Sequence, residues 1–121
     1  VIATDNNAAA IHAAAYNLER SIPPGHFAVM LDDCAAALHT PVDLIVCNPP
    51  FHQGFAVEGA LTERFLAAAR RLLKPNGQAL FVVNAFIPLE RKAAAMFGAI
   101  NTLANDRRFK VLSLSRPTPI N

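Results

Sequence analysis

Apolar runs and helix-period patterns alternate through most of this 121-residue chain. That alternation is the signature of parallel strands joined by crossover helices, so the fold class it predicts is α/β, with a sheet covered on both faces. Residues 1–4 read as a strand, and Asp5-Asn6-Asn7 then supplies N-cap chemistry for an Ala-rich helix running to about Leu18, with Ile11, Ala15 and Leu18 on one face. Ser21-Ile22-Pro23-Pro24-Gly25 breaks that helix, and residues 27–31 form a short strand ending in Asp32-Asp33. Residues 34–38 are a loop or one helical turn, and 42–47 are the next strand, apolar enough to be buried on both faces.

A long helix is predicted over about 57–73, with Leu61, Phe65, Leu72 and Leu73 at helical spacing, and Lys74-Pro75-Asn76-Gly77 stops it. Residues 79–83 form another buried strand, followed by a helix over about 89–97 with Gly98 as its C-cap. Two closing segments, about 100–104 and 109–114, flank Asn105-Asp106-Arg107-Arg108 and read as a β-hairpin. No internal repeat or low-complexity segment interrupts this order.

A formal charge of +2 is too small to mark a nucleic-acid binder by itself, and 53% hydrophobic residues argue against disorder. Cys34 and Cys47 lack the paired spacing of a zinc or redox motif, which fits a reducing compartment. His12, His26, His39 and His52 are scattered without ligand spacing, so no metal site is expected. The longest apolar runs fall short of the roughly 18 residues of a membrane helix. A cytoplasmic protein is the expectation. The chain opens without an initiator Met on a segment that already reads as a strand entering a helix, so an upstream segment is expected to be missing.

Ligands of an open α/β sheet bind beyond the carboxyl ends of its strands. The residues there are Asp5, Asp32 and Asp33, the stretch from Asn48 to Phe51, and Asn84. Asp5 is placed either to accept hydrogen bonds from ribose hydroxyls or to cap the helix that follows. In Asn48-Pro49-Pro50-Phe51 each proline fixes its own φ and removes a donor, and the residue before each is held extended. Such a stiff turn presents the Asn48 side-chain oxygen and the Pro49 carbonyl as a pair of acceptors for the two hydrogens of an exocyclic amine, with Phe51 able to stack on a planar base. The alternative is an ordinary strand-to-helix turn ending in a buried Phe. Arg91, Lys92, Arg107, Arg108 and Lys110 either contact phosphates or form a solvated face.

The run Val42-Asp43-Leu44-Ile45-Val46-Cys47-Asn48-Pro49-Pro50-Phe51-His52-Gln53-Gly54 resembles the catalytic motif of class I S-adenosylmethionine-dependent methyltransferases that modify exocyclic amines. Its Phe-His-x-Gly extension, together with Asn84-Ala85-Phe86-Ile87-Pro88, Phe97-Gly98 and Arg108-Phe109-Lys110-Val111, is similar to the ribosomal RNA guanine-N2 methyltransferases, most closely the small-subunit members. The resemblance covers nearly the whole chain. It implies a Rossmann-like class I methyltransferase sheet with a C-terminal antiparallel hairpin, residues 1–121 forming the C-terminal portion of one methyltransferase domain. It also implies S-adenosylmethionine as cofactor and ribosomal RNA or the small ribosomal subunit as partner, with neither membrane nor metal.

By the same resemblance, Asn48, Pro49, Pro50 and Phe51 are catalytic. Asp5 binds the cofactor ribose, Asp33 or its neighbour Asp32 the adenine amine, and Asn48 also borders the cofactor. Phe51, His52 and Arg108 contact substrate. The chain departs from the family in lacking the first strand and its glycine-rich loop, since the five glycines at 25, 54, 59, 77 and 98 form no such loop. In the family's sheet that strand lies between the strands at Val1 and Val42, so a gap is expected there. An adenine amine or a glutamine side-chain amide is the alternative target, and an inactive fragment that only binds RNA or a partner is the alternative to catalysis.

Overall fold

The structure is a computed structural model that describes residues 1–49 and 55–120, and of residues 55–59 the backbone alone. The chain divides into two compact units, residues 1–38 and 39–121.

In the first unit, β1 (Ile2–Asp5) and β2 (Ala28–Leu31) pair in parallel, with Ile2 opposite Ala28 and Asp5 opposite Leu31. The crossover between them is α1 (Ala8–Ser21). Asn7 starts α1: its backbone is extended, and its side-chain oxygen accepts from the N–H groups of Ala9 (2.8 Å) and Ala10 (3.4 Å). That satisfies two donors that the first helical turn cannot pair internally. The helix runs three residues beyond the expected Leu18 because Ile22, the C-cap, still donates to the Leu18 carbonyl at 2.8 Å before Pro23 and Pro24 stop it.

The second unit holds a four-stranded sheet in the order β3-β4-β6-β5. Its strands are β3 (Val42–Cys47), β4 (Leu73–Asn84), β5 (Phe97–Asn105) and β6 (Phe109–Pro117). β3 and β4 are parallel through the crossover α2 (Phe55–Leu72), and β6 runs antiparallel to both β4 and β5. Among the described residues β1 and β3 belong to separate sheets.

The core of this unit is one apolar cluster in which Leu66 and Ala69 of α2, Phe81 and Val83 of β4, Leu89 and Ala93 of α3 (Leu89–Ala93), and Leu112 and Leu114 of β6 are buried together. The buried stripe of α2 is Thr62, Leu66, Ala69 and Leu72. The expected Leu61 and Phe65 lie at its margin, half-buried. Both helices cover the same face of the sheet, and this corrects the expectation that β3 is buried on two faces. Ile45 and Cys47 pack on the core, whereas Leu44 and Val46, which alternate with them, are 55% and 71% exposed.

Two further expectations are corrected. The last helix ends at Ala93 rather than about Phe97, because Phe97 is drawn into the sheet, 2% exposed and paired with Pro117. The tail fixes this arrangement, with Thr118 N–H donating to the Met96 carbonyl at 2.9 Å and Arg70 holding the Thr118 and Pro119 carbonyls at 3.0 and 2.6 Å. Gly98 is therefore no helix cap. It lies in β5, where an added Cβ would come within 3.2 Å of the Arg116 Cβ. Strands β5 and β6 are nine residues each, longer than the predicted segments.

The Lys74–Gly77 stretch is likewise no loop before a strand: α2 ends at Leu72 and β4 begins at Leu73. The partner of Val42 is Leu73 and that of Leu44 is Gln78, so residues 74–77 are extra residues on β4 opposite a single one on β3. Gly77 returns the strand to register where space is shortest. A Cβ there would lie 2.9 Å from the Asp43 carbonyl oxygen and 2.6 Å from Leu73 Cδ1. Gly77→Ala is expected to destabilise the chain by about 1–3 kcal/mol, the usual cost of overpacking. A urea midpoint equal to that of the parent would refute this.

Candidate functional site

The polar residues singled out from the sequence fall at the carboxyl ends of the strands, and each unit carries its own group. In the first unit Asp5 closes β1 and is exposed. It is not the helix cap, a role taken by Asn7. Its Oδ1 accepts from the Asn7 N–H at 2.8 Å, which holds the turn into α1. The neighbouring strand leaves beside it, with the Asp32 N–H donating to the Asp5 carbonyl at 2.9 Å. The structure thus brings together the first two strand ends, as expected.

The two adjacent aspartates separate cleanly. Asp32 is half-buried and both its oxygens are taken by backbone, Oδ1 by the Asp33 N–H (2.8 Å) and Oδ2 by the Ala37 N–H (2.9 Å). It shapes the turn after β2, in which Cys34 and Ala35 hold φ of 50 and 55°. Two consecutive non-glycine residues in the left-handed region cost energy that this carboxylate helps to offset. Asp33 is exposed. The two residues thus differ in exposure, and both oxygens of Asp32 accept from the backbone.

In the second unit Asn48 and Pro49 follow β3 directly, with Asn48 exposed and Pro49 half-buried. Pro50, Phe51 and His52 lie outside the described residues. The last β3 residue, Cys47, is opposite Phe81 of β4, so Asn48 and Asn84 emerge from neighbouring parallel strands at the same end. Asn84 is opposite Phe109, which places the β5–β6 hairpin tip, and with it Arg108, at that end too. Ala85 N–H ties the loop after β4 to the tip by donating to the Arg108 carbonyl at 2.9 Å.

The tip is built by two side chains that accept hydrogen bonds from its backbone. Asn105 Oδ1 accepts from the Arg107 N–H at 2.9 Å, and Asp106 Oδ1 accepts from the N–H groups of Arg108 (2.9 Å) and Phe109 (2.7 Å). The Phe109 and Arg108 N–H bonds, with Arg108's charge, hold the Asp106 carboxyl below its ordinary value of 3.8. A carboxylate whose folded value is lowered stabilises the fold above its unfolded value and loses that contribution as pH falls through the folded one. Amide resonances of Arg108 and Phe109 are therefore expected to hold steady from neutrality down to about pH 4 and to move only below it. Movement centred well above that point would contradict the assigned bonds.

One functional-looking feature escaped the sequence reading. By sequence Lys110 reads as one of the surface basic residues, yet it is 6% exposed and its Nζ meets Glu90 Oε1 of α3 at 2.7 Å. Its register in β6, opposite the core residue Val83, carries the ammonium under the sheet toward α3. Strand alternation from the buried Leu112 was the signal available to find it. Lys92 is engaged as well, at 3.4 Å from Glu63. No disulfide joins Cys34 and Cys47, and among the described residues no cluster of three or more His, Cys, Asp or Glu is placed to hold a metal ion.

Fold and placement define an α/β protein of the Rossmann-like class I methyltransferase type, with acceptor side chains at the carboxyl ends of its strands. The chain belongs to the methyltransferase small domain family, whose model matches residues 1–113. It is 36% identical over 108 residues to the ribosomal RNA small subunit methyltransferase C of Hahella chejuensis, covering 89% of this chain and 31% of that protein. It is 33% identical over 111 residues to the ribosomal RNA large subunit methyltransferase G of Shewanella amazonensis, covering 89% and 29%. Among solved structures it is similar to the T. thermophilus 16S rRNA N2 methyltransferase RsmC in complex with AdoMet and guanosine. That match has a TM-score of 0.81 and 29% identity, over 96% of this chain and 31% of that one. The chain spans about three-tenths of the length of the curated relatives it matches.

Proposed function

We propose that the protein transfers a methyl group from S-adenosylmethionine to an exocyclic amine of ribosomal RNA, the N2 of a guanine, and that residues 1–121 are the C-terminal portion of that methyltransferase domain. The observation that carries this reading is the position of Asn48-Pro49. It lies directly after a parallel strand, where an exposed asparagine is followed by a half-buried proline, in a chain similar to a guanine-N2 enzyme.

Each residue then has a limited task. Asn48 Oδ1 and the Pro49 carbonyl accept the two amine hydrogens and turn the nitrogen lone pair toward the methyl carbon. Phe51 stacks on the guanine, Pro50 stiffens the turn, and His52 and Arg108 border the substrate. The carboxylate of Asp5 has Oδ1 on the Asn7 N–H and is exposed, which suits ribose hydroxyls, and Asp33 accepts from the adenine amine. These acceptors suit the ribose hydroxyl and adenine amine hydrogens of the cofactor. When bound, the cofactor supplies a methyl on a sulfonium, which leaves as a neutral thioether while the nitrogen passes one proton to water. No general base is required of the chain, so its contribution is positioning.

Among the described residues no helix is long and apolar enough to cross a membrane, and a protein acting on ribosomal RNA is placed in the cytoplasm. Relatives of both ribosomal subunits lie at similar identity, 36% and 33%. Our reading favours the small subunit, and the test treats both.

The whole protein is incubated with methyl-labelled S-adenosylmethionine and each ribosomal RNA, and the RNA is digested to nucleosides for mass analysis. N2-methylguanosine from small-subunit RNA is expected. Label in adenosine or in no nucleoside at all overturns the reading.

A further inference from the structure

The sheet end that carries Asn48 also carries Phe86, Arg107 and Phe109, which the methyl-transfer chemistry leaves without a task, beside Arg108 at the border of the substrate. Phe86 is 65% exposed and follows Ala85, whose N–H is bonded to the Arg108 carbonyl. Phe109 is 47% exposed and stands opposite Asn84, the last residue of β4. Arg107 and Arg108 are the tip residues between. Phe86, Arg107, Arg108 and Phe109 therefore all lie at or next to the two ends of a single backbone hydrogen bond.

Three features set this grouping apart from an ordinary solvated loop. Two large aromatic residues, next to the two ends of one backbone hydrogen bond, are 65% and 47% exposed, although a Phe is among the residues that gain most from burial. Arg107 holds a φ of 74°, a left-handed backbone that Gly or Asn adopts at lower cost, so the tip retains an arginine against its local preference. The tip is also rigid: the Asp106 carboxylate grips the N–H groups of Arg108 and Phe109, and the Asp106 N–H donates to the Phe109 carbonyl at 3.0 Å. Its negative charge is directed into the turn backbone, which leaves the arginines as the charges of the outer rim.

We propose that Phe86 and Phe109, flanked by Arg107 and Arg108, form a stacking platform for unpaired RNA bases at the sheet edge that carries Asn48. Every base has a π-face, so aromatic side chains take single strands with little regard to sequence, and arginine adds phosphate contacts. A strand spacing of about 4.8 Å and a rise of about 3.3 Å per residue put Phe109 roughly 12 Å from Asn48, two strands across and two residues up. A nucleotide adjoining the target base reaches that far. As a role for the ribosomal substrate, the platform rests on the function proposed above.

The test is fluorescence anisotropy of a dye-labelled single-stranded RNA of about ten nucleotides, a length within the range such sites cover, titrated with the whole protein. Phe86→Ala and Phe109→Ala are each expected to weaken binding on the order of tenfold, while Phe86→Tyr and Phe109→Tyr keep it within about twofold. Arg107→Gln with Arg108→Gln is expected to flatten the dependence of log Kd on log salt by about 1.4, from two lost phosphate contacts on a single strand. Alanine variants that bind within about twofold of the parent, or a duplex of the same length bound equally well, overturn the platform. Full recovery of binding in Phe109→Leu overturns stacking as its mode.

Methyl transfer to free guanosine in the same preparations reads the two ideas apart. Methylated guanosine with unaffected RNA binding in the Phe variants removes only the platform. RNA binding that depends on both rings, with no methyl transfer to any acceptor, keeps the platform and removes the proposed function.

Discussion

Asn48→Ala in the whole protein is expected to lower methyl transfer by on the order of 10²–10³-fold, the effect of removing one well-placed polar group from a preorganised site. The argument is geometric. An amine nitrogen attacks a methyl carbon productively only when its lone pair points along the breaking bond. With no base required to remove a proton first, hydrogen-bond acceptors are what set that direction. The Ala side chain removes one of the two acceptors and leaves the Pro49 carbonyl. Because Asn48 is exposed at the end of β3, its truncation opens no cavity, and the urea midpoint is expected to stay within about 0.5 kcal/mol of the parent, as for surface positions. The loss is expected mainly in kcat rather than KM, since binding of the base is left to stacking and to phosphate contacts. Turnover within a few-fold of the parent would sink the assignment of Asn48, and a loss of stability equal to the loss of activity would make its role structural.

The strand-and-helix order was legible because the signals were local. Asn7 before an Ala-rich run, Pro23-Pro24 after it and the alternating residues of β4 each act within a few residues. The candidate site was legible for a related reason: residues after parallel strands are placed to meet ligands, so Asp5, Asp32, Asp33 and Asn48 could be marked as candidates from strand ends alone. What the sequence concealed depends on distant partners. Nothing near Phe97 says that it pairs with Pro117, and a helix reading of Met96-Phe97-Gly98 is locally sound until β6 draws Phe97 into the sheet. Lys110 looked like surface charge because its ion partner, Glu90, is twenty residues away and on another element. The capture of Asp32 by the turn backbone was likewise invisible, since it turns on which carboxylate the N–H of Ala37 reaches. In each case the deciding contact is long-range or a matter of side-chain direction, and periodicity carries neither.

Phe81→Ala is expected to destabilise the protein by about 3–5 kcal/mol, a large share of the roughly 5–15 kcal/mol that holds a domain of this size together. Phe81 is fully buried, at 0% exposure, and sits in the middle of the sheet with Cys47 of β3 on one side and Leu112 of β6 on the other. Leu66 and Ala69 of α2 belong to the same cluster, so truncation leaves a cavity that strands on both flanks and a helix above would have to close together. Phe81→Leu keeps most of that volume and is expected to cost about 1–2 kcal/mol. The position matters for function because Cys47, its partner, is the residue immediately before Asn48. The Phe81→Ala protein is therefore expected to lose activity steeply with temperature, tracking its lowered Tm, and to recover near-parent turnover when cooled. Asn48→Ala is expected to show the reverse pattern, with an unchanged Tm and a deficit that cooling does not repair. If Phe81→Ala remained inactive in the cold while folded by circular dichroism, the strand end would depend on this ring for its geometry as well as its stability, and positioning at Asn48 would begin inside the core.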